Sequence, residues 1–382
     1  MLDDDNNPIF NSGSEVHGTY CAGIIAGDGT GGRFTGVAPD AKLMFIRADD
    51  EIGGGDDVSM MAAIQWIYDM KERWQSAFQM PKVISMSMSS KFSHQPPYAE
   101  WRKLLKINYD LGITHCNSIG NQGLKPYSGG CNGEQAYDYP IPYNIATPGN
   151  VPSAWLHYDQ VPPLDCFYTY DTHINSVIGV GCVGKMDDWG SSSLGPAAWE
   201  DINGELYQPQ SGEIIYECQQ DQFLYGDYRY NRQYIWNISA CYGEDPDGYY
   251  LNPLIKPDVM APHGVTTLTL YSQYTGLDAF TGSSAATPHV AGTVGLMLSA
   301  NPNLTMEQIS KIIQTTAKEL GEPGKDNKYG AGRIDAYKAV LLALAYANKS
   351  TVSNATWHNG ARHVIWNDLL THEVFTSGGE II

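Results

Sequence analysis

Short apolar runs alternate with stretches of helical period along most of this chain, and that rhythm restricts the fold more than any other feature. "AKLMFIRA" (41–48) reads as a strand, and beyond "IGGGDD" the residues Met61, Ile64, Ile67 and Tyr68 recur at helical spacing. "KVISMSM" (82–88), "ITHCNSIG" (113–120) and "NSVIGVGCV" (175–183) read as three more strands, with "YAEWRKLLKINYDLG" as a helix between the first two. Parallel strands need crossover connections, usually helical, so the alternation implies an α/β fold. The expected architecture is a doubly wound, mostly parallel sheet with helices on both faces. Ligands of such sheets bind beyond the carboxyl ends of the strands, and function is sought there.

Two stretches break the rhythm, about 124–174 and 199–253, both rich in Tyr, Pro, Gly and Asp and read as long loop insertions. Regular structure resumes at "IKPDVMAP". Further on, "LTMEQISKIIQTTAKELGEPG" carries a capping box at Thr305 and Gln308, an apolar face at Ile309, Ile312 and Ile313, and a stop at Gly321 and Pro323. "GRIDAYKAVLLALAYA" predicts a last helix. After Ala347 the text turns polar and strand-like, so 348–382 is expected to be a linker or the start of a further β-rich segment.

With 42% hydrophobic residues among 382, the chain can bury a sizeable core. No stretch approaches the roughly eighteen apolar residues of a membrane span, and "MLDDDNNPIF" has neither the basic start nor the apolar run of a signal peptide. A formal net charge of −19 argues against nucleic acid and anionic lipid as partners. Seven cysteines without a CxxC pair argue against zinc or thioredoxin chemistry. Cys131, Cys166, Cys218 and Cys241 fall in loop-like text where disulfides can form, whereas Cys21, Cys116 and Cys182 sit in apolar text as buried thiols. The sequons at Asn237, Asn303, Asn348 and Asn354 are compatible with export.

Chemistry concentrates in three short stretches. "TGSSAATPHVAG" (281–292) leads into "TVGLMLSAN", a helix apolar on every side and therefore buried. A serine at its start lies in the positive field of the helix dipole, with Pro288 expected in the first turn. The same serine would also serve as a plain N-cap, so a nucleophile needs a base nearby. "VHGTYCAGIIAG" (16–27) offers one: His17 opens a helix in which Gly18, Ala22 and Gly23 permit close packing. His289 lies in the serine's own helix and reads as a packed structural histidine. "SIGNQG" (118–123) follows directly on a strand, which sets Asn121 at the carboxyl edge as an oxyanion donor.

Taken together these residues resemble the subtilisin-like serine proteases, the subtilases. "HGTYCAGIIAG" is similar to the family's histidine motif, "SIGNQG" to its oxyanion-asparagine motif, and "GSSAATPHVAG" to its serine motif, commonly GTSMATPHVAG. That register selects Ser284 over Ser283. "GVAPDAKLMFIRA", "VISMSMSS", "SVIGVGCV", "SSSLGP", "IKPDVMAP" and "YGAGRIDAYKAV" extend the resemblance over roughly residues 13–347.

The resemblance implies a subtilisin-like three-layer sandwich and a serine endopeptidase, with Ser284 as nucleophile, His17 as general base and Asn121 in the oxyanion hole. It implies a polypeptide substrate adding as a β-strand between Gly53, Gly54 and Gly55 and Ser87, Met88 and Ser89, where Ser89 stands in place of a family glycine. No cofactor is required for catalysis, although structural calcium is common in the family. The protein is expected to be a monomer, secreted or held at the cell envelope in its full-length form. Family members also carry an aspartate in a D-S/T-G motif that orients the histidine, and the residues before His17 contain no such motif. "DDDNNP", with Asp3, Asp4 and Asp5, is similar instead to the acidic loop that precedes HGT. Residues 1–347 are therefore expected to be a catalytic domain lacking its first strand and catalytic aspartate, with hydrolysis impaired. The alternative is a pseudoprotease or polypeptide-binding scaffold without catalysis. No G-x-S-x-G elbow surrounds Ser284, which disfavours an esterase.

Overall fold

A computed structural model describes residues 16–29, 34–48, 57–70, 80–90, 98–123, 144–155, 176–190, 192–195, 197, 255–269 and 279–352, with a short strand pair at 365–366 and 374–375. Asp3, Asp4, Asp5, Gly53, Gly54, Gly55, the four loop cysteines, the 199–253 insertion and the ends of the 124–174 insertion lie outside the described residues.

β1 (Val83–Met86), β2 (Thr114–Ser118), β3 (Val177–Val183) and β4 (Val259–Pro262) form one sheet in the order β1-β2-β3-β4, every pair parallel. β3 is buried along its whole length, as its unbroken apolar text requires of a strand covered on both faces. Its side chains alternate between faces. Ile178, Val180 and Cys182 join the cluster built with α4 (Ser283–Ala300), α5 (Met306–Thr315) and α6 (Ala336–Val352). Val177 on the other face packs with Leu105 of α3 (Tyr98–Asp110) and with Val151. α2 (Asp57–Asp69) joins α3 there through Met60, Ile64, Trp101 and Leu104. α1 (His17–Ala26) packs along α4. The result is the three-layer α/β sandwich expected of a parallel sheet.

β2 departs from the apolar rule. His115 and Asn117 are fully buried, and His115 Nε2 donates to Asn117 Oδ1 at 3.0 Å. Asn117 Nδ2 donates in turn to Ser118 O at 2.8 Å and Met88 O at 3.4 Å. At the start of β4 a buried ion cluster joins Asp258 to Lys256 at 2.5 Å and to Lys325 at 2.8 Å, while Gly179 N donates to the same carboxylate at 2.7 Å. This ties β4 to β3 and to the loop before α6.

Several local expectations need correction. Residues 41–48 form no strand, and Leu43, Met44 and Phe45 are exposed by 39%, 45% and 65%. A strand exists only where a neighbour accepts its hydrogen bonds, and among the described residues none pairs with this segment. Residues 144–155, inside the stretch read as a loop insertion, are largely buried instead: Thr147 exchanges backbone bonds of 2.8 and 3.1 Å with Ser90, and Ile145 and Val151 enter core clusters. Their Pro- and Gly-rich text carries no period from which burial could be read. α6 continues to Val352, past the polar turn at Ala347, and β5 (Ile365–Trp366) pairs antiparallel with β6 (Val374–Phe375). The capping box forms as expected, with Gln308 N donating to Thr305 Oγ1 at 3.2 Å and Thr305 N to Gln308 Oε1 at 2.9 Å.

Candidate active site

β1 and β2 run parallel, so the residues that follow them, 87–90 and 119–123, emerge at the same edge of the sheet. The N-terminus of α4 arrives there too, and one proline explains how it is tied in. Pro288 was expected in the first turn, but α4 begins at Ser283 and so Pro288 lies inside the helix. Proline has no N–H, and the carbonyl four residues back, that of Ser284, loses its helical donor. Ser87 Oγ replaces that donor at 2.9 Å, and Cys21 Sγ lies at 3.7 Å from the same oxygen. Ser284 Oγ donates back to Ser87 O at 3.4 Å. Ser284 is thus bound to the exit of β1 and to α1 through an acceptor that Pro288 leaves open.

Asn121 is joined to the same turn. Its Oδ1 accepts from Ser283 N at 2.7 Å and from Ser283 Oγ at 3.0 Å, which leaves both Nδ2 hydrogens for a different acceptor. Gly282, the N-cap residue, makes this approach possible. Its φ of 80° suits glycine, and a Cβ there would stand 2.8 Å from Asn121 Nδ2. Gly282 N also faces His263 Nδ1 at 3.5 Å. Burial lowers the pKa of His263, with Asp188 opposing, which favours the neutral ring this contact requires.

The loop carrying Asn121 is fixed from behind. Gln122 Oε1 accepts from Asn121 N at 2.9 Å, Gln122 N donates to Ser193 Oγ at 3.2 Å, and Asn144 Nδ2 donates to Gln122 O at 2.9 Å. None of Gln122, Asn144 and Ser193 was singled out from sequence. The cue available was topological, since Gln122 follows a strand and "SSSLGP" was already part of the resemblance.

His17 opens α1 at an exposed position, with its ring edge-on to Phe280 at 5.3 Å between centroids. Cys21, one turn later, has its sulfur 4.0 Å from His17 Nδ1, so histidine and serine flank a single thiol. Burial pushes that thiol up to about 11, and it stays protonated at neutral pH. Gly23 does permit close packing, for a Cβ there would meet Thr267 Oγ1 at 2.6 Å, whereas Gly18 faces open space. His289 Nδ1 meets Ala285 O at 2.8 Å within its own helix, the structural part expected of it.

Of the residues expected to line substrate, Ser87 touches Ser284, Met88 O accepts from Asn117 and Ser89 is half-buried beside them. Among the described residues no group of three or more His, Cys, Asp and Glu side chains could hold a metal ion.

Comparison with known proteins agrees with this architecture. The model of the subtilase family matches residues 2–332. The chain is 21% identical over 358 residues to the serine protease AprX of Bacillus subtilis (strain 168), covering 89% of this chain and 60% of that protein. It is 26% identical over 380 residues to a calcium-dependent protease of Nostoc sp. (strain PCC 7120), covering 94% of this chain and 44% of the relative. A third relative, the minor extracellular protease Vpr of Bacillus subtilis (strain 168), is 22% identical with 85% and 45% covered. This chain therefore spans 44–60% of the length of these curated relatives. Among solved structures, sphericase superposes with a TM-score of 0.53 at 19% identity, over 86% of this chain and 79% of its own, and so shares the fold. Since the family model spans nearly all of a chain whose fold is also that of sphericase, this chain belongs to the subtilase family.

Proposed function

We propose that this protein is a serine endopeptidase in which Ser284 attacks the scissile carbonyl. His17 takes the serine proton and returns it to the leaving amine, while Asn121 Nδ2 and the Ser284 backbone N–H bind the oxyanion. The observation that carries the reading is the pair of hydrogen bonds from Ser283 to Asn121 Oδ1, at 2.7 and 3.0 Å. They hold the asparagine against the serine turn with its donors still available, at the positive end of an 18-residue helix. Attack requires Ser284 Oγ to leave Ser87 O and turn towards His17. The bond given up is a long one at 3.4 Å, so the rotation costs no more than about 1 kcal/mol.

An extended substrate lies along Ser87, Met88 and Ser89, with Gly53, Gly54 and Gly55 as the opposite wall. We assign residues 1–347 to the catalytic unit, and 348–382 to a linker or a further β-rich segment. No carboxylate is assigned to orient His17, because Asp3, Asp4 and Asp5 lie outside the described residues. Export is supported by relatives named as extracellular proteases. Two relatives are named as calcium-dependent, and structural calcium belongs to this reading without an assigned site. The working unit is a monomer.

A second reading, polypeptide binding without cleavage, is favoured by the Ser284 hydroxyl donating to Ser87 O. Hydrolysis of fluorogenic peptides and an unfolded protein by the natural sequence and by Ser284→Ala separates the two. Cleavage lost in Ser284→Ala is expected. Equal cleavage by both removes the endopeptidase reading, and peptide binding without any cleavage selects the second.

A further inference from the structure

We propose that Asp57 is a positioning residue that fixes the end of the Ser87–Ser89 wall along which an extended peptide lies, and so governs the grip on substrate residues remote from the scissile bond. The proposal rests on the substrate path of the preceding reading.

Asp57 is the first residue of α2. Its Oδ2 accepts from Ser90 Oγ at 2.8 Å, and Ser90 directly follows the wall of Ser87, Met88 and Ser89. Its Oδ1 accepts from Trp101 Nε1, also at 2.8 Å. One carboxylate at the start of α2 therefore joins the exit of that wall to α3.

Each partner is itself fixed. Trp101 is wholly buried in α3 among Met60, Ile64 and Leu104, with Met86 and Met88 packed on the same cluster. The N–H of a buried indole needs an acceptor, and Asp57 provides it. Ser90 is latched on its other side by the two backbone bonds to Thr147. Bonds to an ionised acceptor are stronger than neutral ones. The clamp is thus rigid on the α3 and Thr147 sides, and Asp57 is the piece that ties α2 and Ser90 to α3.

Its reach follows from the strand rise. Ser87 touches Ser284, and Ser90 is three residues farther along, roughly 10 Å away at the extended rise. Asp57 consequently acts on substrate residues about three positions from the reacting carbonyl, and a short substrate never reaches them.

The test compares a short and a long member of one fluorogenic peptide series, the long one extended by roughly four residues. Asp57→Leu, Asp57→Asn and the natural sequence are compared, with rates normalised to the fraction of protein labelled by a fluorophosphonate. In Asp57→Leu the long peptide should lose kcat/KM by roughly tenfold or more, chiefly through KM, and the short one by less than about twofold. Asp57→Asn should restore the long peptide, because an amide can accept from Trp101 and donate to Ser90. Binding of the long peptide to Ser284→Ala, with and without Asp57→Leu, gives a readout that needs no cleavage. Asp57-dependent binding by a chain that cuts nothing removes the endopeptidase reading and leaves the clamp standing. Equal losses for long and short peptides, no loss, or failure of Asp57→Asn to restore the long one would overturn the proposal.

Discussion

Asn121 follows β2 and Ser284 stands in the first turn of α4, packed on a sheet whose β3 is buried at every residue, whereas His17 opens α1 at an exposed position. On the serine side, the Ser284 carbonyl opened by Pro288 and the amides of Gly282 and Ser283 each meet a named partner. The histidine side relies on the packing of α1 along α4, the edge of Phe280 and the sulfur of Cys21. Ser284 and Asn121 are therefore held by hydrogen bonds to neighbouring elements, while His17 stays exposed at the start of α1. Changes on the serine side should cost stability and activity together, and changes on the other edge should cost little stability.

The sharpest way to break this contrast is the buried ion cluster. Asp258→Asn leaves Lys256 and Lys325 buried without their counter-charge and should cost about 3–5 kcal/mol in urea unfolding. A loss under about 1 kcal/mol would show that the serine side is no more tightly determined than the rest. Next comes Asn121→Ala, expected to lower kcat by 10²–10³, about 3 kcal/mol, a magnitude taken from subtilisin itself. Steady-state kinetics check it, and an effect confined to KM would contradict the oxyanion role.

A comparable effect should follow pH through His115. Its Nε2 donates to Asn117, its buried Nδ1 meets no hydrogen-bond partner among the described residues, and burial lowers its pKa to about 4 from 6.5. Between those values the unfolded chain binds the proton more readily than the folded one, so stability is full above pH 6.5 and falls as pH drops towards 4. The loss from this group amounts to roughly 3 kcal/mol. Urea melts across that range should show the slope, and His115→Gln, which keeps a donor for Asn117 without the titration, should flatten it. The smallest effect is expected at the exposed edge: Phe45→Ser should change stability by under about 0.5 kcal/mol. A larger loss there would mean that 41–48 is covered in the working protein.

What could be read in advance follows the same division. Parallel strands buried on both faces announce themselves as apolar runs, and the three motifs sit at strand ends and helix starts. The sequence therefore pointed to β1 to β3 and to the buried helix after Ser284, and it set Asn121 just beyond a strand and Ser284 and His17 at helix starts, where they are found. Residues 41–48 misled because apolar periodicity reports what a segment could pair with, and pairing needs a neighbour. Residues 144–155 were missed because their burial rests on backbone exchange with Ser90 and not on a repeating face. Pro288 was placed at the helix start on propensity alone. Its interior position, and the open carbonyl of Ser284 that Ser87 and Cys21 occupy, depend on where Gly282 starts the helix. Asp57 carried no motif, since its meaning comes from Ser90 and Trp101, which are distant in sequence.

The most direct measurement is fluorophosphonate labelling, with the modified residue located by fragment mass spectrometry. The account predicts a single label on Ser284, abolished by Ser284→Ala, strongly reduced by His17→Ala and retained in Ser283→Ala. A label on Ser283, or one that persists in Ser284→Ala, would contradict it.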